Sequence, residues 1–325
     1  VGVNHNGDIS IAHKLIDAAF DAGADIVKFQ TFKAANLASS SAPKASYQIK
    51  LTDEKESQQA MLKKLELSEN SYHELINHCK EKNIEFLTTA FDLESLSIIR
   101  KFNLKRFKIP SGEITNYPYL KKIASLNLPI ILSTGMSRLD EIRDAINLLN
   151  QFGTPKNQLT ILHCTTEYPA PYEDVNLNAM TTIHKTFDVN IGYSDHTKGI
   201  EVAIAAVALG AKVIEKHITI DNKMNGPDHQ ASLEPHLFKE MVNCIRNIEI
   251  AFGDGVKRPS ASEIKNLGIV RKTLVAKKNI KKGELFTEEN ITTKRPGTGI
   301  NPMNWQKIIG TLSPKDFDPD EIISL

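Results

Sequence analysis

The sequence predicts a closed (β/α)8 TIM barrel followed by a small, mainly β module, an α/β class overall. Three observations carry this. From the first residue to about Phe252, short apolar runs bounded by turn residues alternate with segments of helical periodicity. Eight such strands fit into about 250 residues, the size of one barrel. No Gly-x-Gly-x-x-Gly turn follows the first strand, as an open dinucleotide-binding sheet would show.

In chain order, the strands are expected at Val1–Asn4, Asp25–Thr31, Glu85–Ala90, Arg106–Pro110, Pro129–Thr134, Leu159–Cys164, Asn190–Asp195 and Lys212–Ile218. Helices lie between them. Leu139, Ile142, Ile146 and Leu149 recur at helical spacing and define one apolar face; Phe238, Met241, Val242 and Ile245 define another. Gly23 and Gly210 stand where a helix must end in a left-handed residue before the next strand. The stretch from Lys33 to Leu67 is too long for a bare loop and is expected to fold over the barrel mouth, with a helix near Gln58–Leu65. Beyond Phe252 the rhythm stops. Residues 253–269, opening with Gly253-Asp-Gly-Val-Lys-Arg-Pro-Ser, read as a linker, and 270–325 as short strands and turns around a small core.

Composition narrows the function classes. With 40 basic and 39 acidic side chains the formal charge is +1, so no global field recruits nucleic acid or an anionic membrane, and an anionic substrate must be held locally. The three cysteines, Cys79, Cys164 and Cys244, lack the paired spacing of a zinc or redox site and suit a reducing cytoplasm. The apolar run Ala203–Ala211 falls short of the roughly 20 residues that cross a bilayer, and no signal segment opens the chain. The start at Val1, without an initiator Met, reads as an entry partway through a strand.

A barrel gathers its chemistry where strands run into their C-terminal loops. Polar residues do collect there: Lys28 and Gln30, Thr88 and Thr89, Lys108 and Ser111, Ser133, His163, Ser194 with His196, and Glu215 with His217. Side chains two apart on a strand share a face, so Ser194 with His196 and Glu215 with His217 can all point inward. Two imidazoles at the mouths of neighbouring strands can bind one divalent ion and leave positions open for water and substrate oxygens. The ligand set does not name the metal. Lys28 and Lys108, among the hydroxyls of Thr89, Ser111, Ser133 and Ser194, form a phosphate or carboxylate pocket. A Schiff-base lysine stays open as an alternative. On residue types alone, Gly226-Pro-Asp228-His229 and Arg295-Pro-Gly-Thr-Gly299 read as turns.

Asn4-His-Asn-Gly7, Lys28-Phe-Gln-Thr31, Lys108-Ile-Pro-Ser-Gly-Glu113, Leu132-Ser-Thr-Gly-Met136, His163-Cys-Thr-Thr-Glu-Tyr-Pro169, Gly192-Tyr-Ser-Asp-His196, Glu215-Lys-His217, Gly226-Pro-Asp-His229 and Lys294-Arg-Pro-Gly297 together resemble the sialic acid synthase family, end to end. The C-terminal part is similar to its antifreeze-like SAF domain. The resemblance implies condensation of phosphoenolpyruvate with an N-acetylated mannosamine, with C–O cleavage and phosphate release. N-acetylneuraminate is the expected product. N,N'-diacetyllegionaminate, made from 2,4-diacetamido-2,4,6-trideoxymannose, is the alternative, and a non-catalytic carbohydrate-binding protein a remoter one. It implies a divalent ion, manganese before magnesium or cobalt, on His196 and His217. It places phosphoenolpyruvate on Lys28, Thr89, Lys108, Ser111, Ser133 and Ser194, and the sugar on Gln30, Tyr168 and Asp228. Glu113 would lie near the reacting centre, with Asp228 also catalytic. Arg295 would reach the N-acetyl group from a second subunit of a domain-swapped homodimer. The family carries a glutamate just before the segment matching Val1-Gly2.

Overall fold

The computed structural model describes every residue except 46, 47, 50, 51, 53 and 54. It divides into two compact units, Val1–Phe252 and Gly253–Leu325.

Among the described residues the first unit holds seven parallel strands: β1 (Ile26–Thr31), β2 (Glu85–Ala90), β3 (Phe107–Ile109), β4 (Ile130–Ser133), β5 (Leu159–Cys164), β6 (Asn190–Asp195) and β7 (Ile214–Lys216). β1 pairs with β2, and β3 to β7 form a five-stranded sheet in sequence order. This is a barrel-like parallel arrangement, but its hydrogen-bond ladder is not the continuous eight-stranded ring expected. The Val1–Asn4 stub contributes a single bridge, Gly2 to Phe29, instead of a strand. Side chains span the seams where the ladder is missing. Arg106 donates from Nε and Nη2 to the two carboxylate oxygens of Glu85, at 2.8 and 3.2 Å, linking the starts of β2 and β3. Asn4 Nδ2 donates to the Ile218 carbonyl at 2.9 Å, joining the stub to the segment after β7. The short β3 has a simple cause: Pro110, which follows it, has no N–H to continue a ladder.

Helices cover the sheets with the stripes their sequences announce. In Ile9–Asp21, Ala12, Leu15, Ile16 and Ala19 are buried, and Asp8 caps the start by accepting from the Ser10 amide at 2.7 Å. Gly23 and Gly210, at φ +83° and +101°, end helices as expected. In Leu139–Gln151, Ile142, Ile146 and Leu149 are buried but Leu139 is exposed, because it opens the helix above the packed layer. Phe238, Met241 and Ile245 are buried in Pro235–Ala251, with Val242 half-buried.

Between β1 and the helix Glu69–Lys82 the elements described in full include two short helices, Ala34–Leu37 and Gln58–Lys63. The second ends two residues sooner than expected, and Leu65 instead packs with Val3 and Phe32 in a small cluster that Phe91 also touches. Phe32 and Phe91 directly follow β1 and β2, so the end of this segment rests on the C-terminal rim of the strands. The rest of the expected cover includes the six residues outside the description. Among the described residues no helix is long and apolar enough to cross a membrane, and all three cysteines are free.

In the second unit, β8 (Thr273–Ala276) and β9 (Ile291–Lys294) pair antiparallel. Leu274, Ala276, Ile280, Phe286, Ile291, Ile308, Phe317 and Ile323 form its core. The stretch 253–269, expected as a linker, carries most of a helix, Ala261–Val270. The Ser260 amide donates to Glu263 Oε2 at 2.8 Å, so Ser260-Ala-Ser-Glu263 is a capping box, a start signal hidden by the flanking Gly and Pro.

Candidate active site

Three residues from three strands make the charged floor of the site. Glu215 on β7 lies between two ammonium groups: Lys28 Nζ on β1 is 3.5 Å from Oε1, and Lys108 Nζ on β3 is 3.6 Å from Oε2. Burial alone would raise the Glu215 carboxyl. The fields of Lys108 and Lys28 outweigh it and hold the group well below the usual carboxylate range, so it is ionised. Lys108 is 3% exposed and donates to Ser133 Oγ at 2.7 Å. Its pKa is lowered by burial, against the pull of Glu215. Ser194 Oγ donates to Glu215 Oε1 at 3.4 Å. Ser111 Oγ accepts from the Gly135 amide at 2.9 Å and contacts Cys164 Sγ at 3.3 Å.

Beside this floor stand the two imidazoles. The register Ser194↔Glu215 on β6 and β7 puts His196 and His217 two residues further along paired strands. Their ring centroids are 5.8 Å apart. His196 Nδ1 is 2.7 Å from the Thr165 carbonyl. A carbonyl only accepts, so Nδ1 carries the proton and Nε2 keeps its lone pair. Tyr168 lies against the same ring at 4.1 Å and meets His217 edge-on at 5.9 Å. His217 Nδ1 is buried without a hydrogen-bond partner, 4.0 Å from Asp228 Oδ2. Burial lowers both imidazoles, that of His217 well below the usual value with the neighbouring His196 adding to the effect. Burial also raises the Asp228 carboxyl to about 6. Two neutral imidazoles with an orphaned nitrogen fit a borderline divalent ion. Among the described residues no group of three His, Cys, Asp or Glu side chains closes on one point. An ion here would therefore keep positions open.

Asp228 is itself held in place. Ser232 Oγ donates to its carbonyl at 2.6 Å and accepts from Asn4 Nδ2 at 2.8 Å. Asn4 and Ser232 thus tie the chain start to the loop after β7.

The structure brings Lys28, Lys108, Ser133 and Ser194 together around Glu215, and Tyr168, His196, His217 and Asp228 together beside them; the fields of both imidazoles reach Glu215. Thr89 sits in register with Gln30 at the ends of β2 and β1, and its buried hydroxyl has no partner. Glu113 accepts from Asn116 Nδ2 at 2.6 Å, and burial raises its carboxyl. Arg295 follows β9 in the second unit. Glu215 is among the polar residues expected at the strand ends, but its place between lysines of two other strands does not follow from strand alternation. Beside Ser111, a Cβ at Gly135 would collide with the buried Oγ1 of Thr166, so glycine is required there.

The chain matches the NeuB family model over residues 15–257 and the SAF domain model over 271–325. It is 57% identical to N,N'-diacetyllegionaminic acid synthase of Campylobacter jejuni subsp. jejuni serotype O:2, over 99% of this chain and 96% of the relative. It is 46% identical to the N,N'-diacetyllegionaminic acid synthase of Legionella pneumophila subsp. pneumophila, over 95% and 88%. The solved N-acetylneuraminic acid synthetase of Leptospira borgpetersenii serovar Hardjo-bovis, in complex with citrate, superposes with a TM-score of 0.71 at 33% identity. That match covers 82% of this chain and 87% of the other.

These findings correct the expected product. The two legionaminic acid synthases are far nearer in sequence than the N-acetylneuraminic acid synthetase, so the reading as an N-acetylneuraminate synthase is overturned. Nothing supports a non-catalytic carbohydrate-binding role beside them. The chain belongs to the NeuB family and carries a SAF domain at its C-terminal end.

Proposed function

We propose that this protein condenses phosphoenolpyruvate with 2,4-diacetamido-2,4,6-trideoxymannose, releasing phosphate and forming N,N'-diacetyllegionaminate. The observation that carries the choice of sugar is 57% identity to an N,N'-diacetyllegionaminic acid synthase along nearly the whole length of both chains. We read the two parallel sheets as arcs of one eight-staved barrel, supported by the side-chain bonds across their seams.

The lysine floor suits the enol phosphate. Lys28 and Lys108 supply positive charge, and the hydroxyls of Ser111, Ser133, Ser194 and Thr89 supply hydrogen bonds to phosphate and carboxylate oxygens. Glu215 offsets one of the two positive charges before an anion arrives and holds both ammonium groups facing the same point. Lys108 has carbonyl and hydroxyl partners beyond Glu215, so it stays in position when an anion competes for it.

A divalent ion, manganese being our first choice, would rest on His196 and His217. When bound it supplies Lewis acidity toward an aldehyde oxygen and a water of lowered pKa. The chain's own residues do the rest. Asp228, with its carboxyl raised to about 6, is placed to accept a hydrogen bond or a proton from a sugar hydroxyl near neutral pH. Tyr168 covers both imidazoles and limits access of bulk water. Gln30 and Arg295 remain our candidates for sugar contacts, the latter supplied by a second copy of the chain. Glu113 would act near the reacting centre.

The test is phosphate release from phosphoenolpyruvate with each sugar, before and after chelation. Higher kcat/KM with the diacetamido sugar than with N-acetylmannosamine, lost on chelation and restored by Mn2+, is expected. Equal turnover of both sugars removes the specificity reading, and metal-independent turnover removes the ion.

A further inference from the structure

On the side of β6 and β7 facing away from the site lies an ion pair that the proposed mechanism does not use. Lys216 Nζ donates to Asp195 Oδ2 at 2.8 Å, and both side chains are fully shielded from solvent. The same Nζ donates to the Thr197 carbonyl at 2.5 Å. Asp195 Oδ1 in turn accepts from the Thr197 amide at 2.9 Å and from Thr197 Oγ1 at 2.7 Å. Asp195 and Lys216 stand directly opposite one another in the β6–β7 register.

The positions of these residues give the pair its meaning. Asp195 and Thr197 flank His196, and Lys216 directly precedes His217. One ammonium group therefore holds the backbone on the far side of His196 and belongs to the residue next to the other imidazole. Removing two charges from water costs more than a simple stability role returns, since buried pairs are often replaced by apolar residues without loss. What a buried pair can supply is a fixed geometry, and here the geometry it fixes is the offset between two strand ends.

We propose that the Asp195–Lys216 pair, locked to both sides of His196 through Thr197, is a positioning device that sets the separation of the His196 and His217 imidazoles for sharing one divalent cation. The inference rests on the two-imidazole reading given above. Neither residue touches substrate or ion. Their effect passes through the peptide units next to the two histidines, as outer residues tune the ligands of a metal site.

Mn2+ affinity, measured by electron paramagnetic resonance on the full chain without substrates, is the direct readout. Lys216→Met alone strands a buried carboxylate and is a poor probe, so the working variant is Asp195→Asn/Lys216→Met, which removes both charges and nearly conserves volume. We expect it to fold, to melt close to the parent, and to bind Mn2+ about 10- to 100-fold more weakly. A folded double variant whose Mn2+ affinity stays within about twofold of the parent overturns the proposal, because a merely structural pair would change melting and leave affinity alone. Should the double variant fail to fold, Asp195→Asn/Lys216→Gln, which also removes both charges but keeps polar groups toward Thr197, is judged by the same criterion. His196→Ala and His217→Ala are run alongside: unchanged Mn2+ binding in these sinks the two-imidazole site itself, a result distinct from failure of the positioning pair.

Discussion

The two halves of the site are prepared in opposite ways. On the lysine side every charge already has a partner: Lys28 and Lys108 face Glu215, and Lys108 also holds Ser133. On the imidazole side polar atoms are left short. His217 Nδ1 has no hydrogen bond, and the buried Asp228 carboxyl stands 4.0 Å from it. An anion pocket can be satisfied internally because its carboxylate and incoming phosphate compete for the same ammonium groups. A cation site cannot, since a protein donor set that satisfied itself would have no lone pairs to offer. The first half is thus expected to contribute to stability before substrate arrives, and the second to cost stability until it is filled.

Removing a ligand from the imidazole side should break this contrast most severely. His217→Ala is expected to lower kcat by about 1000-fold or more, because the ion's charge stabilisation amounts to several kcal/mol. Melting of the metal-free protein should hardly fall, as an orphaned buried nitrogen is removed with the ring. Steady-state phosphate release and thermal melts on one preparation check both halves of this statement.

On the lysine side, Lys108→Met should raise KM for phosphoenolpyruvate by about 100-fold, the scale for truncating one partner of a buried charge pair. Unlike the histidine variant, it should also lower melting, since Glu215 and Ser133 lose a buried partner. A variant that loses affinity without losing stability would show that the internal pairing is unimportant.

A pH series on metal-free protein sharpens the comparison. The Asp228 carboxyl has a folded pKa near 6, above its ordinary 3.8. Well below pH 3.8 it is protonated in both states and contributes no difference. As pH rises through this window the unfolded chain ionises first, so the folded state is progressively disfavoured, by up to about 3 kcal/mol above pH 6. Asp228→Asn should therefore be more stable than the parent at pH 7 and equal to it well below pH 3.8, while losing activity. Melting curves that run parallel across that range would contradict the assignment.

The smallest effect is expected at Thr89→Val. Its hydroxyl is buried without a partner, so its loss should leave stability within about 0.5 kcal/mol. Phosphoenolpyruvate affinity should drop several-fold if that hydroxyl waits for substrate, and not at all if it merely fills space.

Much of this architecture was legible residue by residue. β2, β5 and β6 occupy the expected spans, because each is an apolar run cut by turn formers at both ends. Strand alternation alone put Ser194, His196, Glu215 and His217 on one face. Less was legible at the ends. The Val1–Asn4 stub was read as a strand from its apolar residues, yet Asn4 and Asn6 turn their side chains toward the loop after β7, a pairing some 214 residues away in the chain. The helix at Ala261–Val270 was obscured by the Gly- and Pro-rich run before it, although its capping box was visible. Glu113, expected near the reacting centre from its motif, accepts a hydrogen bond from Asn116 three residues away, a local partner that the motif does not announce.

What the sequence determined alone was periodic and local: the spacing of apolar residues, the glycines that end helices, the strand faces that carry lysine, serine and histidine. These follow from backbone geometry, which repeats every two or 3.6 residues wherever the segment lies. The tertiary structure decided what depends on burial and on partners distant in sequence. Glu215 is ionised between two lysines, Asp228 is raised, and Asp195 meets Lys216 only because strands far apart in the chain enclose them together, where water no longer screens one charge from another.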